Sequence, residues 1–203
     1  MFTIGYATKP IEQYLNQLHQ HGVDVVADIR SVPYSKVFFD YHQDALRQRL
    51  MDAGIRYVHL GPELGPRSKD AAHYDDSGQV QFDRLMQSEL FQAGIDRLFD
   101  GVEKGFTIAM TCACKDPAIC HRSLLVGWAL RHQRGVDVRH ILHDTGTELQ
   151  SALEARLLTE TNTVADMFTG HADALQLAYQ RQCLACAYRR PQAADQGSGA
   201  GPS

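Results

Sequence analysis

Several features that define other protein classes are missing from this sequence. No apolar run approaches the roughly 20 residues that a membrane-crossing helix needs. The first residues, M-F-T-I-G-Y-A, lack a basic segment ahead of an apolar stretch, so we expect no signal peptide and a cytoplasmic location. Basic residues are not in excess either. The net charge of −4 argues against a non-specific nucleic-acid binder, which needs a dominant basic face.

The cysteine spacing also excludes two familiar catalytic loops. Arg122 lies ten, eight and two positions after Cys112, Cys114 and Cys120, and none of these is the spacing of a tyrosine-phosphatase or rhodanese loop. The run C-x-C, five residues, then C-H matches no common zinc motif. The mechanisms of those loops therefore do not transfer to this chain.

What remains is the composition of one globular domain. The 203 residues are 44% hydrophobic, which is enough to form a core. The five cysteines are odd in number and clustered rather than spread. In a reducing compartment such clusters are more often catalytic or metal-binding than disulfide-forming.

Short apolar segments alternate with amphipathic ones along the chain. The pattern predicts strands over residues 2–7, 23–29, 55–60, 106–112 and 136–142. It predicts helices over residues 10–21, 43–53, 81–103 (bent near Ser88 or Gly94), 120–134, 147–158 and 171–186. Five β–α units in series predict an α/β protein with three layers, α/β/α, around a five-stranded, mainly parallel sheet. We expect a single domain over residues 1–190 and a disordered tail over residues 191–203.

The chemically rich segments each follow a predicted strand. In open α/β sheets, ligands bind at the carboxyl ends of the strands. The segments at those ends are Gly5–Tyr6, Asp28–Ser31, His59–Arg67, Cys112–Arg122 and His140–Asp144. We therefore expect one site to which several distant turns contribute.

The turn from Cys112 to Arg122 is the richest of these segments. A thiol at the start of a helix, beside a histidine and an arginine, has a lowered pKa and can act as a nucleophile. We predict Cys112 or Cys120 as the reactive thiol, with His121 and Asp28 handling protons. The plain alternative is that these cysteines are small core residues.

Metal binding is the rival use of the same turn. The runner-up ligand set is Cys112, Cys114, Cys120 and His121, for zinc or an iron–sulfur cluster. The C-x-x-C at Cys183 and Cys186 lies in a predicted helix and has no assigned role. No cofactor is predicted.

A second group of residues is suited to binding an anion. Asp28 and Arg30 are two positions apart at a strand end, so their side chains point the same way, and Arg30 can fork a phosphate or carboxylate. The alternative is a structural ion pair. The loop over residues 61–80 is long for one without structure, and could close over the site as a lid. The predicted anion-binding residues are Tyr6, Arg30, Ser31, Glu63, Arg67 and Arg122.

Four segments together resemble a known family, the bacterial and archaeal domain of unknown function 488. They are T-I-G-Y-A-T, V-V-A-D-I-R-S-V-P-Y-S, G-I-R-Y-V-H-L-G-P-E-L-G and I-A-M-T-C-A-C-K-D-P-A-I-C-H-R-S-L-L. The resemblance runs over residues 1–190 and implies a compact α/β domain with a parallel sheet, but no reaction. Two departures stand out. Cys114 occupies a position where relatives often carry an acidic residue, and Gly65-Pro66 replaces the more usual paired glycines.

These observations favour an enzyme that acts on an anionic, nucleotide- or phosphate-like substrate, as a cysteine-dependent hydrolase or transferase. The expected partner is a small anion or nucleotide, with nucleic acid as an alternative and no membrane. Two other functions stay open: a non-catalytic sensor module that binds a metal or ligand, and an accessory protein in nucleic-acid processing.

Overall fold

A six-stranded sheet forms the middle of the structure. The computed structural model describes residues 1–35, 37–144, 146–163 and 170–191. The strands are β1 (Phe2–Gly5), β2 (Val25–Asp28), β3 (Arg56–His59), β4 (Ile108–Cys112), β5 (Arg139–Ile141) and β6 (Thr147–Leu149). Their order is β3-β2-β4-β1-β5-β6, and every neighbouring pair is parallel except β5 with β6.

Helices connect the strands. They are α1 (Ile11–Gln20), α2 (Gln43–Asp52), α3 (Gly61–Leu64), α4 (Phe82–Met86), α5 (Glu89–Glu103), α6 (Trp128–Arg134), α7 (Gln150–Glu160) and α8 (His171–Cys186). A π-helix over Arg122–Gly127 runs directly into α6. Such segments are rare and frequently accompany functional sites. Each helix in the described ranges is too short or too polar to serve as a membrane span.

Two hydrophobic cores lie on opposite faces of the sheet. On one face, helices α1 and α2 pack Leu18 and Leu46 against strand residues such as Val26. On the other, α5 to α8 pack against Ala27 and Met110. Because both faces are covered, every residue of β2 and β4 is buried. The predicted three-layer α/β architecture is confirmed.

The strand count differs from the prediction by one. Residues Thr147–Leu149, predicted as the start of a helix, form β6 and pair antiparallel with β5. The helix begins only at Gln150. A strand of three residues at the sheet edge is too short to show an alternating pattern, so its partner strand decides its conformation.

The predicted helix over residues 81–103 is two helices. Ser88 separates α4 from α5, and its hydroxyl accepts a hydrogen bond from the Phe91 N–H at 3.3 Å. Gly94 lies inside α5 and lets α3 approach closely, because an added Cβ would stand 2.6 Å from the Cβ of Glu63.

The segment over residues 61–80, predicted as one long loop, is ordered by short-range structure. It contains α3, a turn of 3₁₀ helix at Ala71–His73 and a bridge between Tyr74 and Val80. The chain after α8 pairs with it, since the Val80 N–H donates to the Tyr188 carbonyl at 2.9 Å. The predicted tail lies outside the described residues except for Pro191.

The three central strands end side by side. The Ile29 N–H donates to the Thr111 carbonyl at 3.2 Å, and the Tyr6 N–H donates to the Cys112 carbonyl at 3.1 Å. The side chains that follow β1, β2 and β4 therefore start from adjacent positions at one edge of the sheet.

Candidate functional site

Two cysteine sulfurs meet where β4 ends. Cys112 is the last residue of β4, and Cys120 precedes the π-helix, with its carbonyl accepting from the Ser123 and Leu124 N–H groups. Asp116 shapes the intervening loop by capping a 3₁₀ turn at the Ala118 N–H, 2.9 Å away. The loop returns the chain so that the sulfurs of Cys112 and Cys120 lie 3.1 Å apart.

His121 completes this group, which we call the Cys–His cluster (Cys112, Cys120 and His121). Its Nε2 lies 2.9 Å from the Ile29 carbonyl, which can only accept, so Nε2 carries a proton. Its Nδ1 then faces the sulfurs of Cys112 and Cys120 at 3.4 Å and 4.0 Å. All three ligand atoms lie within 4.8 Å of one another.

The cluster favours one negative charge. Burial raises the pKa of Cys120, but hydrogen bonds from Cys112 and Cys114 and the charge of Arg122 lower it well below its usual value. Cys114 lowers the pKa of Cys112, but Cys120 and burial outweigh this and raise it to about 12. Hydrogen bonds to Cys112 and Cys120 raise the pKa of Cys114. We place the thiolate on Cys120 because its sulfur also faces the Arg122 N–H at 3.5 Å.

The charge on the sulfur also changes His121. Burial lowers the pKa of His121, but the hydrogen bond and the charge of Cys120 outweigh burial and raise it. The pair therefore resembles a thiolate–imidazolium couple, which is the reactive form of a cysteine.

Arg122 is placed differently from the prediction. Its side chain is fully buried and donates to the Cys114 carbonyl at 2.6 Å and the Lys115 carbonyl at 2.9 Å. Gly5 leaves room for it, because an added Cβ there would overlap both the guanidinium and the Cys114 carbonyl. Arg122 does not line the pocket described below, so it holds the cysteine loop from behind rather than offering its donors to a ligand.

Asp28 and Arg30 form a buried, forked ion pair. Arg30 Nε and Nη2 donate to the two carboxylate oxygens at 2.8 Å and 2.5 Å. The Tyr57 hydroxyl donates to the same carboxylate at 2.8 Å. The remaining Arg30 nitrogen donates to the Tyr41 carbonyl and the Tyr6 hydroxyl. Asp28 is 0% exposed, which suits a positioning role better than the predicted proton transfer.

A pocket of about 340 Å³ opens beside the Cys–His cluster. Its floor includes Cys112 and His121, together with Cys114. Arg30, Ser31 and Tyr6, all predicted site residues, line it as well. The other lining residues are Val32, Tyr34, Pro66, Arg67, Phe82, Ala113, Ile119, Leu124, Cys186 and Tyr188. Among the described residues that line this pocket, none carries a carboxylate.

Arg67 reaches the pocket through local packing. Its N–H donates to the Ser31 hydroxyl at 3.0 Å, and its guanidinium lies 4.8 Å from the centre of the Tyr188 ring. Glu63, also predicted for this site, faces α5 instead and pairs with Arg97. The structure thus brings Arg67 to the pocket and leaves Glu63 outside it.

The chain after α8 also contributes to the pocket, which the sequence does not predict. Cys186 and Tyr188 line the pocket, although they lie about 70 positions beyond the cysteine loop. No motif singled out in the sequence includes both of these residues. Cys183 lies elsewhere, in a neighbouring groove of about 300 Å³ between α8 and residues 79–83.

The family model for domain of unknown function DUF488 matches residues 10–129. The chain belongs to the DUF488 family. The match contains the Asp28–Arg30 pair and the Cys–His cluster, but ends before the chain that supplies Cys186 and Tyr188. No curated protein matches the chain.

Solved structures resemble this DUF488 protein only distantly. Two crystal structures of a protein from Shewanella putrefaciens CN-32, named as a candidate phosphatase (DUF442), are each 13% identical to it. The first covers 92% of this chain and 87% of its own with a TM-score of 0.37. The second covers 88% and 83% with a TM-score of 0.36. These scores are too low to support a shared activity.

Proposed function

We propose that this DUF488 protein is an enzyme that acts on a small anionic, nucleotide- or phosphate-like substrate bound in the pocket beside the Cys–His cluster. The observation that carries the proposal is the composition of that pocket. Two guanidinium groups and a histidine line it together with the cysteine loop. Asp28 pairs with Arg30 from behind the wall, and no carboxylate in the described part of the wall itself faces Arg67. A site of this charge attracts anions.

Arg67 is the group best placed to bind the anion. Arg30 lines the pocket, but Asp28 compensates its charge and most of its donors are used by Asp28, Tyr6 and Tyr41. The Arg67 guanidinium rests on the Tyr188 ring, which leaves its N–H groups able to fork a phosphate.

The walls suit the rest of such a substrate. Tyr6, Tyr34, Phe82 and Tyr188 give the pocket aromatic faces, and its volume of about 340 Å³ is within the range of small-ligand sites. An aromatic ring attached to the anion, such as a nucleobase, can stack on such faces.

The Cys–His cluster supplies the reacting group. Its thiolate character at Cys120, with His121 beside it, is the arrangement that nucleophilic cysteines use. The same atoms could instead hold a metal ion. In both uses Cys112 and His121 connect the reacting group to the anion pocket, because these two residues line it whereas Cys120 lies behind them.

Binding and turnover of phosphate monoesters and nucleoside monophosphates test the proposal. Arg67→Ala should weaken binding at least about tenfold, because a charge-assisted hydrogen bond is lost. Arg49→Ala is the matched control, since Arg49 pairs with Asp40 on the surface. Cys112→Ser and Cys120→Ser should abolish turnover while binding persists. Equal binding by the Arg67 and Arg49 variants would remove the anion site from the proposal.

Alkylation tests the thiol role separately. Iodoacetamide should modify a cluster thiol in chelator-treated protein at about pH 8, and a bound anion should slow the reaction. Thiols that stay inert under these conditions would count against a reactive cysteine.

A non-catalytic module that binds a metal or ligand is the second candidate. The burial of the two sulfurs favours it, since Cys112 is 3% exposed and Cys120 is 2% exposed. Tight anion binding without turnover of any compound in the panel would support this module and exclude the enzyme.

A further inference from the structure

We infer that Cys112, Cys120 and His121 bind one zinc-like divalent ion through three protein ligands, with the fourth coordination position directed toward the pocket. The inference concerns the site of the proposed function and rests on it only for the identity of the substrate.

The spacing of the three ligand atoms carries the inference. In a tetrahedral zinc site with Zn–S of about 2.3 Å and Zn–N of about 2.0 Å, the sulfurs stand about 3.8 Å apart and each sulfur about 3.5 Å from the nitrogen. Here the two sulfurs are 3.1 Å apart, and the sulfur–nitrogen distances are 3.4 Å and 4.0 Å. The atoms are thus arranged around a common point at which an ion fits after sub-ångström shifts.

The imidazole of His121 is oriented as a metal ligand. A ligating histidine generally donates its other ring N–H to a carbonyl or carboxylate, which fixes the tautomer and the ring orientation. The Ile29 carbonyl takes this role at Nε2, 2.9 Å away, and directs Nδ1 toward the two sulfurs, where it binds an ion once it is deprotonated. The turn after β2 therefore supports a ligand that comes from the turn after β4.

The surroundings of the Cys120 sulfur also suit a metal ligand. The Arg122 N–H, 3.5 Å from the Cys120 sulfur, supplies the kind of second contact that ligating sulfurs receive.

The ligand types narrow the identity of the ion. Two thiolates and one imidazole suit zinc, whereas an iron–sulfur cluster is usually held by four cysteines. Three protein ligands with an open position are typical of catalytic zinc, and four are typical of structural zinc. The position of Cys114 favours three protein ligands and an open position. Its sulfur is near the cluster but does not belong to the group of mutually close ligand atoms.

The pocket supplies the open side. Cys112 and His121 both line it, so a ligand in the pocket can reach an ion held between them. A zinc ion with an open position would lower the pKa of a bound water, and Arg67, which lines the same pocket, would bind an anionic substrate there.

Metal analysis of the full chain, purified without a metal-affinity column, tests the inference. Wild-type protein should contain about one zinc per chain, and so should Cys114→Ser. Cys112→Ser, Cys120→Ser and His121→Ala should each lose it. Cys183→Ser is the matched control, because that thiol lies in the neighbouring groove, and it should keep the metal.

Cobalt gives a second readout that does not depend on how the variants fold. Chelator-treated wild type and Cys114→Ser, reloaded with Co²⁺, should show thiolate charge-transfer absorption and the intense visible bands of tetrahedral cobalt. Added Zn²⁺ should also raise the melting temperature of both proteins.

Three outcomes separate the claims. Wild-type protein without zinc and without a cobalt spectrum overturns the inference, while anion binding at Arg67 would leave the proposed function standing. Loss of metal in Cys114→Ser, as complete as in Cys112→Ser, overturns the open site. Metal present without anion binding supports the inference and removes the proposed function.

Discussion

The Asp28→Asn substitution should be among the most destabilising single changes at this site. Asp28 is 0% exposed and its partner Arg30 is 5% exposed, so neither charge is solvated. The asparagine keeps the shape of the side chain but removes the negative charge that faces the guanidinium. It also replaces one acceptor oxygen with an NH₂ group, which turns a donor toward Arg30 in either orientation and toward Tyr57 in one of them.

The magnitude follows from the burial. Breaking a buried ion pair by removing one partner costs about 3–5 kcal/mol, because a charge is left buried and unpaired. A protein of this size loses roughly 2–4 °C of melting temperature per kcal/mol, so we expect a decrease of about 6–20 °C. Arg30 also donates to the carbonyl of Tyr41, which retains part of its hydrogen bonding and favours the lower half of that range.

Urea denaturation, followed by circular dichroism, measures the free energy of unfolding. Asp40→Asn is the matched control, because its pair with Arg49 is half-exposed on both sides, and its loss should cost less than about 1 kcal/mol. The double variant Asp28→Asn, Arg30→Met should recover part of the loss, since it removes the orphaned charge as well.

The reasoning about the buried pair would be refuted if Asp28→Asn cost no more than the Asp40 control. It would also be refuted if Arg30→Met lowered the stability of Asp28→Asn by as much as it lowers the stability of wild type, so that the two losses simply add. Either result would mean that the pair is solvated in a way that the geometry does not show.

Three further predictions concern residues around the site. Gly5→Ala should cost about 1–3 kcal/mol in urea denaturation, because its Cβ overlaps the Arg122 guanidinium; stability within about 0.5 kcal/mol of wild type would contradict this. Burial lowers the pKa of His140 to about 4, so the unfolded chain binds more protons between pH 4 and 6.5, and stability should fall as the pH falls through that window. The decrease should be smaller in His140→Gln, and equal slopes in the two proteins would exclude the histidine. Burial likewise lowers the pKa of Lys9 to about 8, against 10.5 in the unfolded chain, so wild type should gain stability relative to Lys9→Met as the pH rises from 8 toward 10.5. A difference between the two that is independent of pH would show that Lys9 is solvated.

Arg122 lies in the turn that the sequence singles out, but the fold decides which groups it contacts there. The sequence places this arginine directly after Cys120 and His121, where an anion ligand would be natural. In the fold, the Cys114 and Lys115 carbonyls accept hydrogen bonds from its two Nη atoms. Arg122 therefore shapes the loop and lowers the pKa of Cys120 by its charge, while Arg67 holds the more open position.

The part of the pocket wall that the chain after α8 forms was not predictable from the sequence. Cys186 and Tyr188 reach the pocket because residues 78–80 pair with the chain around Tyr188 and Arg190. Contacts of this kind join segments about 110 positions apart, and no local periodicity encodes them.

The sequence by itself determined the layered α/β fold, the succession of the main strands and helices along the chain, and the turn that carries the cysteines. These properties are local, since they follow from apolar periodicity and from residue types a few positions apart. The tertiary structure alone decided that residues Thr147–Leu149 form the edge strand β6 and that Glu63 and Arg122 lie outside the pocket. It also decided that the sulfurs of Cys112 and Cys120 lie beside His121. Which charge stays free for a ligand depends on the carbonyls and carboxylates that distant strands bring to it, and only the folded chain sets those neighbours.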